Sequence, residues 1–156
     1  RINKVLGKTR PGDAASIRSG CSSLVDVAFD IDAMVPVVSA GVWPKLNANQ
    51  RSAYRAAIER RIAGDCRSRS GDIAGKTMAV VGERQGEGGD RFIAVRATYG
   101  GGRQLIWRVR AGSGGLRAVD VTVDGKSLAV TMEKDAKALL QKAGGDLQQF
   151  VKLMGG

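Results

Sequence analysis

From Lys76 onward the apolar residues stop recurring at helical spacing and begin to alternate, and after Gly125 the helical period returns. Alternation at period two places one row of side chains on each face of a strand, whereas spacing of three or four builds a helical stripe. Four strands are predicted, over 77–83, 91–99, 103–110 and 116–123. The links between them, "RQGEGGD", "GGG" and "AGSGG", are short and rich in glycine, as hairpin connections are. The sheet is therefore expected to be antiparallel. In the third strand Leu105, Trp107 and Val109 alternate with Ile106, Arg108 and Arg110, so one face is apolar and the other basic. In the fourth, Val119, Val121 and Val123 oppose Asp120 and Thr122.

The flanking segments read as helices. Residues 1–12 hold two glycines and Pro11 and are expected to form an arm or lead-in. Asp13 is a candidate N-cap for a helix with Ile17, Cys21, Leu24 and Ala28 on one stripe. Asp30 or Asp32 can cap a short helix reaching Ser39, with Pro36 placed in or near its first turn, and Gly41 ends it. "NANQRSAYRAAIERRIAGDCRSRSG" is the clearest helix, capped by Asn47 or Asn49, with Tyr54, Ile58 and Ile62 on its apolar side. Beyond Gly125, Leu128, Met132, Ala136, Leu139 and Leu140 form another stripe up to Gly144–Gly145, and Asp146 caps a last short helix. One-sided helices and a one-sided sheet must face each other. The expected fold is α+β: a twisted four-stranded antiparallel sheet with helices on one face, in a single domain over 1–156.

Composition removes several functions. No histidine is present, which takes away the commonest general base and metal ligand. Cys21 and Cys66, two thiols far apart without histidine, are a poor metal set. Their spacing leaves both a disulfide and two buried free thiols open. Twenty-five Lys and Arg against fifteen Asp and Glu leave a net charge of +10, which attracts polyanions. The arginines are scattered, however, and aromatics are 4% of the chain, too few for a base-stacking platform, so no nucleic-acid partner is expected. No apolar run reaches the length of a membrane-spanning helix.

Two short motifs suggest a nucleotide loop, and both fail on context. Gly125-Lys126-Ser127 would need a glycine five residues upstream, where Asp120 stands and would repel a phosphate. Gly75-Lys76-Thr77 has Ser70 in that place and leads into a strand instead of a helix. Asp120 and Tyr99 could serve acid–base chemistry in a helix–sheet cavity, which makes a small-ligand enzyme the alternative reading, with a basic nucleic-acid or protein-interaction module behind it. No activated nucleophile accompanies them, and no catalytic residue is assigned.

Four patterns, in order, resemble a known family. Phe29-Asp30 precedes a short helix. "SAGVWPKLNANQRSAYRAAI" carries Gly41, Trp43, Gln50, Arg51 and Tyr54. "AVDVTVDGKSLAV" carries Asp120, Val121, Val123, Gly125, Ser127 and Leu128, and "LLQKAGGDLQQFVKLM" closes the chain. Over residues 17–154 the chain resembles the MlaC-type phospholipid-shuttle proteins of Gram-negative bacteria, auxiliary components of a lipid ABC transporter linked to toluene tolerance and outer-membrane lipid asymmetry.

That resemblance implies a periplasmic, non-enzymatic, monomeric carrier. It would need no cofactor besides its phospholipid ligand, and would move that lipid between an inner-membrane ABC complex and an outer-membrane lipoprotein complex. It also implies an apolar cleft between helices and sheet, and it favours a Cys21–Cys66 disulfide through the oxidising compartment. Within that cleft, the lipid-binding residues expected are Phe29, Met34 and Val38 from the early helices and Tyr54 and Ile58 from the long one. Val95, Trp107, Val109 and Val121 are expected from the sheet, and Leu128, Met132 and Leu139 from the later helix. The surplus positive charge would then suit an anionic headgroup at the mouth or acidic partners.

Overall fold

A computed structural model describes residues 1–97 and 103–155. Its order is α1 (Ile2–Lys8), α2 (Ala14–Ala28), α3 (Ile31–Val38), a 3-10 turn (Trp43–Lys45), α4 (Ala48–Ser68) and α5 (Ser70–Ile73). Strands β1 (Met78–Gln85), β2 (Arg91–Ala97), β3 (Gln104–Gly112), β4 (Gly115–Val123) and β5 (Lys126–Ser127) follow, then α6 (Leu128–Lys142) and α7 (Leu147–Gly155). The class is α+β, with a sheet of order β1-β2-β3-β4-β5 in which every neighbouring pair is antiparallel.

The sheet has five strands rather than the expected four. β5 is two residues long, pairing Lys126 with Val123 and Ser127 with Thr122. So short a strand leaves no alternation to read. Gly125, at φ +76, supplies the left-handed turn that returns the chain onto β4, and Ser127 then caps α6 by accepting from the Val130 amide at 3.1 Å. The glycine-lysine-serine motif is thus a hairpin turn leading into a helix cap. The end of the expected second strand, including Tyr99, lies outside the described residues.

A bulge changes the phase of β4. Arg108 pairs with Asp120 but Val109 pairs with Ala118, which leaves Val119 opposite no partner. Ala118 takes the inward position and is buried, and Val119, expected on the same face as Val121, is only partly so.

The first twelve residues, expected as an arm, hold helix α1. Ile2, Val5 and Leu6 share one side of it, Leu6 is buried, and the amide of Gly75 donates to the Leu6 carbonyl at 2.9 Å. Where the chain leaves α1 it presses on α2 at Gly20. A Cβ there would sit 2.1 Å from Thr9 Oγ1, so only glycine allows the contact. Asn3 fixes the other side, its side-chain amide donating to the Met78 carbonyl and accepting from the Met78 amide at 3.1 and 2.9 Å.

The caps fall where short polar side chains can meet free amides. Asp13, Asp30 and Asp146 accept from Ser16, Ala33 and Gln149, and Asn47 with Gln50 forms a reciprocal capping box on α4. Pro36 lies deeper in α3 than expected, at its sixth residue, and the helix ends two residues later. The corner between α2 and α3 is tied to the edge of β4. The Asp30 amide donates to the Ala118 carbonyl at 2.8 Å, and Arg117 Nη1 donates to the carbonyls of Asp26 and Phe29 at 2.6 and 3.4 Å.

Candidate functional site

Between the helices and the sheet lie two adjoining cavities. The first, about 280 Å³, is bounded by α2, the C-terminal half of α4, α5, the inner faces of β3 and β4, and the start of α6. The second, about 330 Å³, lies between α1, α2 and the inner faces of β1 to β4. Leu24, Ile73, Met78, Leu105 and Trp107 line both, so the two form one cleft with a shared apolar wall. Phe29 leans on Trp107 in a tilted contact, ring centroids 5.5 Å apart.

The sequence-predicted residues divide among the two cavities of the cleft, a separate hollow and the sealed core. Phe29, Trp107, Val121 and Leu128 line the first cavity, while Val95, Val109 and again Trp107 line the second. Ile58, Met132 and Leu139 lie instead around a separate, more polar hollow of about 360 Å³ between α4, α6 and α7, beside Arg60, Arg61 and Asp135. Met34, Val38 and Tyr54 are sealed into the core at 1%, 0% and 0% exposure and touch neither cavity. Tyr54 stacks on Phe150 at 5.8 Å between ring centroids. Its hydroxyl has no hydrogen-bond partner among the described residues, and burial alone raises its pKa.

Four of the five residues shared by both cavities lie outside the sequence-predicted set. Leu105 stood two residues from Trp107 on the same strand face, and Leu24 on the α2 stripe, so both were accessible to the periodicity argument. Met78 opens the first strand. Ile73 sits in α5, a single turn that carries no periodic signal.

Cys21 and Cys66 form a disulfide that joins α2 to α4, and Cys66 itself lines the first cavity. Both cysteines belong to the helical layer, so the bridge fixes α2 against α4 within the helical wall of the first cavity. Asp120 lies outside both cavities. Its carboxylate accepts from Ser127 Oγ at 2.5 Å and from the Val121 and Ala129 amides at 2.8 and 2.9 Å. It is committed to anchoring the start of α6, where a negative charge also suits the helix N-terminus. Tyr99, its suggested catalytic partner, lies outside the described residues.

The sheet's outer face carries a different chemistry. Asp90, 1% exposed, accepts from Arg108 Nε at 2.6 Å and from Arg110 Nε and Nη2 at 2.7 and 3.1 Å. Hydrogen bonding from Arg110 first, and from Arg108, holds its carboxyl down to about 2. Arg84 lies over the Phe92 ring at 4.1 Å on the same face. These groups brace the sheet and have no part in the cleft.

A family model described as MlaC protein matches residues 3–154. The chain belongs to the MlaC family. The match takes in α1 through α7 and therefore both cavities. A solved structure of a phospholipid-binding protein from Ralstonia solanacearum, in complex with a phospholipid, is similar to this MlaC chain at a TM-score of 0.69 and 17% identity. The likeness covers 98% of this chain and 87% of that one. At that identity it speaks for a shared fold. No curated protein matches this MlaC chain in sequence.

Proposed function

We propose that the protein is a phospholipid carrier whose cleft takes one acyl chain in each of its two cavities. The observation that carries this reading is the apolar wall common to both: Leu24, Ile73, Met78, Leu105 and Trp107 line a space that no side chain among the described residues fills. Membership of the MlaC family supports the same reading. Volumes of about 280 and 330 Å³ suit slender hydrocarbon chains, and their sum falls within the range of ligand pockets.

The physics of such a ligand sets the mode of transfer. At about 0.8 kcal/mol per methylene, two long chains represent gross burial on the order of 20 kcal/mol. Escape into water at that cost is too slow to be useful, so the lipid must pass directly into an acceptor docked at the mouth. In this reading the protein works as a monomer in the periplasm, between an inner-membrane ABC complex and an outer-membrane lipoprotein complex. Family membership supports both the location and the partners, and the disulfide is in keeping with an oxidising compartment.

Native protein extracted with organic solvent is expected to yield about one phospholipid per chain by mass spectrometry. Leu105→Trp, which pushes an indole into the wall common to both cavities, is expected to lose that lipid while keeping a native circular dichroism spectrum. Repeated absence of lipid from folded wild-type protein would overturn the proposal.

A further inference from the structure

The charges that line the first cavity separate into engaged and free groups. Arg61 is shared between Asp65 at 3.4 Å and Asp135 at 3.0 Å, and Arg103 is held by Asp124 at 2.9 Å. Among the described residues this leaves Arg69, Lys126 and Asp72 lining the cavity with neither an ion pair nor a side-chain hydrogen bond. Arg69 and Asp72 stand on the helical wall, at the junction of α4 and α5 and within α5 itself. Lys126 stands on β5, the sheet wall. Both cations are exposed and Asp72 is half-buried.

The balance at this mouth differs from that of the whole chain. Although the net charge is +10, the four cations named here face four carboxylates once the engaged partners are included. A free carboxylate lining the same cavity as two free cations weakens a site for a simple anion, because it repels what they attract. It suits a phosphate that brings its own cation. We infer, building on the carrier reading above, that the mouth of the first cavity selects zwitterionic phospholipids with an amine headgroup. The phosphodiester bridges Arg69 and Lys126, from the helical wall to the sheet wall, and the ammonium rests on Asp72. The lipid's head therefore stays at the first cavity, and the second receives a chain alone.

The test loads lipid-stripped protein from vesicles of phosphatidylethanolamine and phosphatidylglycerol in equal amounts with identical chains, and counts bound lipid by mass spectrometry. Ethanolamine lipid is expected to be enriched on the order of fivefold, the upper end for an exposed ion pair. Asp72→Asn removes the enrichment, bringing the ratio of the two headgroups to about one. Arg69→Gln combined with Lys126→Gln lowers uptake of both phospholipids relative to a diacylglycerol with the same chains. Equal loading of the two headgroups by wild type, or enrichment unaffected by Asp72→Asn, overturns this inference and leaves the carrier reading standing. Uptake of neither lipid overturns both. Soluble phosphoethanolamine in millimolar excess is expected to displace no lipid. If it binds without chains as tightly as the lipid does, the site belongs to a free phosphoamine and the inference fails.

Discussion

Met34, Val38, Tyr54 and Phe150 are sealed into a filled core, with a more polar hollow beyond it between α4, α6 and α7, whereas Leu24, Ile73 and Leu105 border the apolar cleft. The side chains are of one kind in both halves. What differs is how the walls are held. In the filled half, apolar contact does the holding, as when Tyr54 stacks on Phe150. In the hollow half, the walls are fixed from behind by directional or covalent ties: the Cys21–Cys66 disulfide, the Asn3 pairing with Met78, and the Arg117 bond to the Phe29 carbonyl. A cavity whose lining faces open space cannot rely on that lining for support.

The contrast can be broken by truncation. Phe150→Ala is expected to cost about 3–5 kcal/mol in chemical denaturation, since it opens a void in a close-packed region. Leu105→Ala, facing space that already exists, is expected to cost less than about 1 kcal/mol, since it creates no new sealed void. Equal costs at the two sites would mean that the halves do not differ as described.

Next in size is the tie behind the wall. Replacing both cysteines by serine is expected to lower stability by about 2–4 kcal/mol, as loss of a bridge closing a loop of this length does. Lipid stoichiometry should fall with it. Full lipid content in the variant would show that cleft width does not depend on the disulfide.

The outer face of the sheet serves as a control outside both halves. The Asp90 carboxyl, held at about 2 by Arg110 and Arg108, lies below the ordinary aspartate value near 3.9. A depressed carboxylate contributes stability that is present above about pH 4 and is lost as pH falls toward about 2. Asp90→Asn should flatten the acid limb of the stability profile in that window and leave lipid uptake unchanged. An unaltered acid limb would show that the arginines do not hold this carboxylate in solution. The smallest effect is expected at Tyr54→Phe. Removing a buried hydroxyl with no partner among the described residues should change stability by less than about 1 kcal/mol, in the stabilising direction if at all.

Much of the fold was legible in the residues. The switch of period at Lys76 and again after Gly125 gave the order of helices and strands, and the cap residues marked most helix starts. Three features escaped for physical reasons. β5 is too short to alternate. The bulge at Val119 shifts phase without any sequence mark. Helix α1 did carry Ile2, Val5 and Leu6 at helical spacing, but its glycines and Pro11 suggested a loose arm. The candidate cleft was harder to place. Periodicity tells which face of an element is apolar, and by that measure Tyr54 and Trp107 are equivalent. Whether two apolar faces touch or stand apart depends on ties such as that of Asn3 to Met78, which are set by partners distant in sequence.

Those ties bear on another hazard. β1 lies at one edge of the sheet, with Val80 and Val81 exposed at 64% and 54%. An open apolar edge is a template on which a second chain can add a strand. Asn3 occupies both backbone groups of Met78 with one side-chain amide, and the irregularity between Val80 and Gly82 breaks the straight run of the edge just beyond it. If the proposed carrier spends part of its cycle with the apolar cleft unfilled, this edge guard would limit self-association in the state where association is most favoured.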